Sequence, residues 1–223
     1  MECKSKSLTA PQASSSMENK NKSSRAPKIE PFRHRNIENP KFFARALKAL
    51  TQAISEFYAQ GSTSMSLELL YRDAYSIILY KKGPEMYSAM ETTMASEVQS
   101  LFRSLDAAPA DNAAFLKLLL AKWNHHIEAA KMTCDVLMYM DRTFVLTNRK
   151  TPINELGLQL WRDHLVGSDK IRERLTKAVK AVKQQGGGDD DELVAGANKM
   201  LTELGKDVPG IFFPDDELQV AGP

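Results

Sequence analysis

The sequence predicts an all-α fold, and three observations predict it. Apolar residues recur at spacings of three and four from about residue 40 to residue 204, the period of one helix face. Only 10 prolines and 11 glycines punctuate 223 residues, which suits long helices better than many-stranded sheets. No segment reads convincingly as a strand, and no nucleotide-binding glycine loop is present. The 43% hydrophobic and 26% charged content is that of an ordinary globular chain, long enough for one large domain or for one complete unit and part of another.

A first helix is expected just after Asn39-Pro40, with Asn39 as cap and Pro40 at the first helical position. Phe43, Leu47, Leu50, Ile54 and Phe57 then form an amphipathic stripe. Gly61-Ser62-Thr63-Ser64 ends it, and Ser66 or Ser64 can cap a second helix over residues 67–82. There Leu67, Leu70, Ala74, Ile77 and Ile78 gather on one side, and Tyr71, Tyr75 and Leu79 extend it. The apolar arc is roughly twice the ~100° that a core-facing helix needs. Either the domain covers both flanks or the tyrosine flank stays open to a partner, a place that suits a large apolar ring with a hydroxyl tip.

Gly83-Pro84 breaks the pattern, which resumes over residues 85–106, and Ala107-Ala108-Pro109 breaks it again with Asp111 or Asn112 as the next cap. Residues 113–146 contain neither Gly nor Pro, so they form two helices or one bent one. Their last portion carries Val136, Leu137, Met138, Tyr139, Met140 and Phe144 at almost every angle. A helix so apolar is central in a core or shared between core and partner. After a turn over residues 148–152 comes a helix with Leu156, Leu160, Trp161 and Leu165, then one over residues 171–182. Gly186-Gly187-Gly188 opens an acidic loop whose Asp189, Asp190 and Asp191 can cap a helix over residues 192–204. Residues 208–223 show no evident structure.

Residues 1–27 are low in complexity and read as a disordered tail, whereas Ile29 and Phe32 give the polar strip 28–35 two apolar anchors. Residues 1–35 carry eight Lys/Arg against three acids, so the rest of the chain is slightly acidic within a total of +2. Such a tail suits nucleic acid or an acidic surface, but simple solvation of a disordered tail is the reading adopted. No run approaches the roughly 18 apolar residues of a membrane span, and no secretory signal is evident. Cys3 and Cys134 lie far apart, which favours a reducing compartment, cytoplasmic or nuclear.

No catalytic constellation is found. His125 and His126 adjoin, so on a helix they diverge by about 100° and cannot both face one metal. His34 and His164 add no ligand spacing, and no metal or cofactor is expected. Cys134 reads as a small core residue rather than a reactive thiol.

The strings LELLYRDAYSIILYKKGPEMYSAM (67–90) and FLKLLLAKWNHHIEAAKMTCDVLMYMDRTFV (115–145) resemble the first repeat of the cullin family. LGLQLWRDHLV (156–166) resembles the start of the second. LYRDAY and DVLMYMDRTFV are similar to the BTB-binding cullin-3 class, and KIEPFRHR followed by NPK is similar to its plant form. The resemblance implies an all-α, cullin-repeat helical solenoid. Residues 28–39 would be an N-terminal extension, 40–147 the first five-helix repeat, and 148–207 part of the second. It further implies a non-catalytic scaffold of a ubiquitin ligase, acting in ubiquitin-dependent protein degradation, that binds a BTB-domain substrate adaptor. The adaptor site carried over is Leu67, Glu68, Tyr71, Tyr75, Tyr139 and Arg142, with Ile29 and Phe32 in the extension.

Two departures qualify that expectation. Where the family commonly has Phe-Glu-Glu, this chain has Leu67-Glu68-Leu69. A third repeat and the RING-binding C-terminal domain are missing from the sequence, so no RING protein is expected to bind. Alternatives are a competitor of a full-length relative, an inert remnant, or a nucleic-acid binder using the basic tail. Because stacked repeats bury their faces only against neighbours, the incomplete second repeat is expected to expose Leu193, Met200 and Leu201.

Overall fold

The computed structural model describes residues 40–185 and 188–205, and every regular element among them is helical. Helix α1 (Pro40–Gln60) buries Ala46, Leu50, Ala53, Ile54, Phe57 and Tyr58 along its inner face. It starts at Pro40 as expected, while Asn39 lies outside the described residues. Gly61 ends it at φ +69°, a conformation cheap only for a residue without Cβ.

Helix α2 (Leu67–Leu79) stops a turn earlier than the pattern suggests. The Lys82 N–H bonds the Ile77 carbonyl at 3.1 Å and the Lys81 N–H bonds the Ile78 carbonyl at 2.9 Å. Lys81 sits at φ 60°, so this is a Schellman ending with a lysine in the place glycine normally takes. Gly83-Pro84 is therefore no gap between helices. It opens α3 (Gly83–Asp106), with Pro84 in the first turn where its missing N–H costs nothing. Glycine is needed at 83 for space, because a Cβ there would stand 2.4 Å from the Phe144 ring.

Helix α4 (Asn112–Met140) is capped by Asp111, whose carboxylate accepts the Ala114 N–H at 2.7 Å. The run is one helix, not two. It passes through a π-helical turn, Asp141–Val145, and a last α-turn, Leu146–Asn148, before Arg149 reverses it at φ 52°. Helices α5 (Ile153–Gly167), α6 (Asp169–Gln185) and α7 (Gly188–Glu203) complete the described residues. Because α7 starts at Gly188, Asp189, Asp190 and Asp191 fall inside the helix and do not precede it as caps.

Helix α4 is the hub, and the six other helices among the described residues all pack on it. That explains its apolar residues at almost every angle: the buried set includes Phe115, Leu119, Trp123, Ala130, Val136 and Met140. One core runs from α1 to α7. The expected exposure of the last helices is not found. Met200 is fully buried, Leu201 is 4% exposed and Leu193 packs partly buried on the core. The physical reason is that α7 folds back on α4 and α6, so α4 supplies the cover that a following repeat was expected to provide.

The histidine pair is structural. His126 stacks on Trp161 at 5.1 Å between ring centroids. Its Nε2 meets the Gly157 carbonyl at 3.0 Å, so that nitrogen carries the proton. Its Nδ1 then accepts from the Tyr58 hydroxyl at 3.0 Å. His125 Nε2 donates to the Tyr58 carbonyl at 2.6 Å. The two rings diverge, as neighbours on a helix must, yet both hold the same residue of α1, one by its side chain and one by its backbone. Burial pushes the His126 pKa down to about 4, and this outweighs the opposing hydrogen bond to Gly157.

Candidate functional site

The start of α2 is built by the turn before it. Glu56 of α1 accepts from the Thr63 hydroxyl at 2.6 Å, from the Ser64 N–H at 3.1 Å and from the Gln52 amide at 2.9 Å. Those bonds, Thr63 first, hold its carboxyl below the usual range. The turn delivers Ser66, whose hydroxyl caps α2 by accepting the Leu69 N–H. Glu68 then stands exposed in the first turn, where the helix dipole favours an acid.

From that start α2 buries Leu70, Ala74 and Ile77 and leaves Leu67, Tyr71, Tyr75 and Leu79 as a stripe along one flank. Leu67 is 50% exposed, although its spacing also placed it on the core side. As the first helical residue, its side chain points back off the helix end and past the core. Tyr71 is half-buried, and Tyr75 and Leu79 are exposed.

The C-terminal part of α4 lies beside this stripe. The rings of Tyr75 and Tyr139 are 4.4 Å apart at centroids and tilted by 54°, at the close limit of favourable aromatic pairs. Tyr139 is half-buried, and Arg142 stands exposed in the π-helical turn. π-turns are uncommon and recur at functional sites. Asp141 anchors this one, since its carboxylate accepts the Ile153 N–H at 3.2 Å and so caps α5. Burial raises its pKa, with that N–H acting the other way. Phe144 wedges against Gly83 from the same turn and fixes the entry of α3.

Leu67, Glu68, Tyr71 and Tyr75 thus share α2, and the Tyr75–Tyr139 contact joins them to the α4 end that carries Arg142. Ile29 and Phe32 lie outside the described residues. Five exposed large hydrophobic residues among those described were not assigned to a site from sequence: Leu69, Leu79, Tyr80, Met138 and Leu146, the last 74% exposed. Leu79 and Met138 were legible as parts of apolar stretches. Leu146 was not, because the π-turn breaks the 3.6-residue period just before it.

This face has no acid–base or nucleophilic pair. Among the described residues no three His, Cys, Asp or Glu side chains gather to hold a metal, and no helix is long and apolar enough to cross a membrane. Cys134 is half-buried, and burial, with Asp141 and Asp135 nearby, pushes its thiol up to about 12, the wrong direction for a nucleophile. An apolar, tyrosine-lined strip with charged edges at Glu68, Arg72 and Arg142 can do one thing well, which is to dock against another protein.

The comparisons agree with the helical architecture. The family model described as the cullin alpha solenoid domain matches residues 47–215. The chain is 40% identical over 183 residues to Cullin-3B of Arabidopsis thaliana, covering 81% of this chain and 25% of that protein. It is 37% identical to Cullin-3A of the same plant over the same length, and 28% identical over 187 residues to Cullin-3 of Dictyostelium discoideum, again about 24–25% of each relative. The chain spans about a quarter of the length of these curated relatives. With its helices, its tyrosine-bearing α2 and its family match taken together, the chain belongs to the cullin family and corresponds to the cullin N-terminal repeat region, with plant Cullin-3 proteins among its similar relatives.

Proposed function

We propose that the α2–α4 face binds a BTB-domain substrate adaptor, and that the chain serves as a non-catalytic scaffold module of a cullin-RING ubiquitin ligase. The observation that carries this reading is the Tyr75–Tyr139 ring contact, flanked by Tyr71, Leu67 and Leu79. It forms an apolar aromatic strip with no covering element among the described residues, bordered by Glu68 and Arg142. On this reading residues 40–147 act as the first repeat and 148–207 as part of the second, and Ile29 and Phe32 touch the same adaptor. Leu67 and Leu69, 50% and 53% exposed, stand where the family commonly has an aromatic and an acid. They are about 200° apart on the helix, so each alters a different edge of the contact and shifts the range of adaptors.

Calorimetry against a panel of BTB domains tests it. Tyr71→Ala is expected to weaken binding by ~2 kcal/mol, about thirtyfold, with helicity unchanged because the ring is only half-buried. Deleting residues 1–35 is expected to weaken it more modestly. Failure of the unmodified chain to bind any domain of the panel, or unchanged affinity in Tyr71→Ala, contradicts the reading.

A further inference from the structure

The exposed apolar side chains of this protein are not scattered. Seven large ones are exposed among the described residues. Four of them, Leu67, Tyr75, Leu79 and Met138, lie on the α2 stripe or beside Tyr139, and Leu146 stands at the end of the same helical run as Tyr139. A cluster of that kind marks a surface that is covered in use.

The strip also has a polarity. Tyr75 meets Tyr139, and farther along both segments Gly83 packs on the Phe144 ring. The two contacts advance together, so α2 and the end of α4 run parallel. Glu68 lies seven residues before Tyr75, about 10 Å back along the axis. Arg142 lies three residues beyond Tyr139, about 4 Å forward. The acid and the base therefore stand at opposite ends of the strip, about 15 Å apart along it, with the tyrosine pair between them. Both are exposed, and neither has an ion pair among the described residues.

We infer that this strip is also the contact between two copies of the chain, in a dimer with two-fold symmetry. In such a dimer one patch meets itself, so every contact is made twice with the roles exchanged. A patch that is apolar in the middle and oppositely charged at its two ends meets that condition. With the second copy turned about an axis through the middle of the strip, Glu68 of each copy comes against Arg142 of the other. The tyrosine pairs then lie near the axis and pack on one another. Like charges at the two ends would repel in this arrangement, and a face that receives only an adaptor needs no such reciprocity. A strip about 15 Å long falls short of the roughly 800 Å² per partner of a standard interface, so the dimer is a weak one. A bound adaptor and a second copy then exclude one another, a consequence that rests on the proposed function, and self-association keeps the face closed until an adaptor displaces it.

Sedimentation velocity on the full chain tests the inference at low salt, from about 10 μM to about 1 mM, the range in which a weak dimer forms. The unmodified chain is expected to pass from monomer to dimer across that range. Glu68→Arg alone and Arg142→Glu alone each set like charges against one another at both contacts, and each should weaken the dimer at least tenfold. An equimolar mixture of the two variants brings opposite charges together at both contacts again. It should associate within about threefold of the unmodified chain, and that rescue also shows that both variants fold. An unmodified chain that stays monomeric at the highest concentration, single variants that associate as the unmodified chain does, or a mixture that stays monomeric each overturns the inference. No adaptor enters this experiment, so a chain that dimerises but binds no BTB domain contradicts the adaptor reading alone.

Discussion

At the scale of single residues, burial of His126 makes folding less favourable in acid. In the unfolded chain its imidazole titrates near 6.5, and in the folded one near 4. Between those values the unfolded state takes up a proton that the folded state refuses, so stability is full above pH 6.5 and declines as pH falls toward 4. The total loss is about 3 kcal/mol. Glu56, whose pKa is lowered, adds to the loss in acid, and Asp141, whose pKa is raised, opposes it. Urea unfolding of the wild type and of His126→Gln, run at pH 7 and pH 4.5, checks the assignment. The glutamine amide can donate to Gly157 and accept from Tyr58, so the variant should fold and lose less stability between the two pH values than the wild type does. An identical decline in both would assign the acid sensitivity to another group.

At the scale of elements, the end of α2 holds a residue in a conformation it does not favour. Lys81 lies in the left-handed region at φ 60° because the Schellman bonds to Ile77 and Ile78 require it. A residue with Cβ is disfavoured there by roughly 1 kcal/mol. Lys81→Gly is therefore expected to stabilise the protein by up to about 1 kcal/mol, set against glycine's greater freedom in the unfolded chain. Thermal melting reads the effect, and a lower melting temperature would show that the lysine side chain contributes more than its backbone costs. The same reversal ends the long central helix at Arg149.

At the scale of the whole molecule, α7 closes the structure on α4 and α6. Met200, fully buried against them, should cost about 2–5 kcal/mol when cut to alanine. Hydrogen exchange should find the amides of α7 protected to a degree comparable with α2, since both helices share one core. Fast exchange throughout α7, with Met200→Ala nearly neutral, would show that its packing contributes little to stability.

Much of this was legible from order alone. Spacing by three and four located each helix, because a helix on a core must repeat its apolar face whatever it packs on. The tyrosine flank of α2 and the crowded end of α4 were visible for the same reason, each having more apolar surface than one core can use. What order could not decide was the partner of each face. Leu67 fits the core side by period yet stands half-exposed at a helix end, and Met200 and Leu201 fit an uncovered face yet are buried. The π-turn that carries Arg142 and moves Leu146 out of period also escaped the pattern, because one extra residue in a turn leaves no mark on composition. That His125 and His126 both hold Tyr58, one by its backbone and one by its side chain, was likewise not legible from their adjacency. Periodicity is local and was therefore in the sequence, whereas which helix covers which depends on contacts between residues dozens of positions apart, and only the tertiary structure decided those.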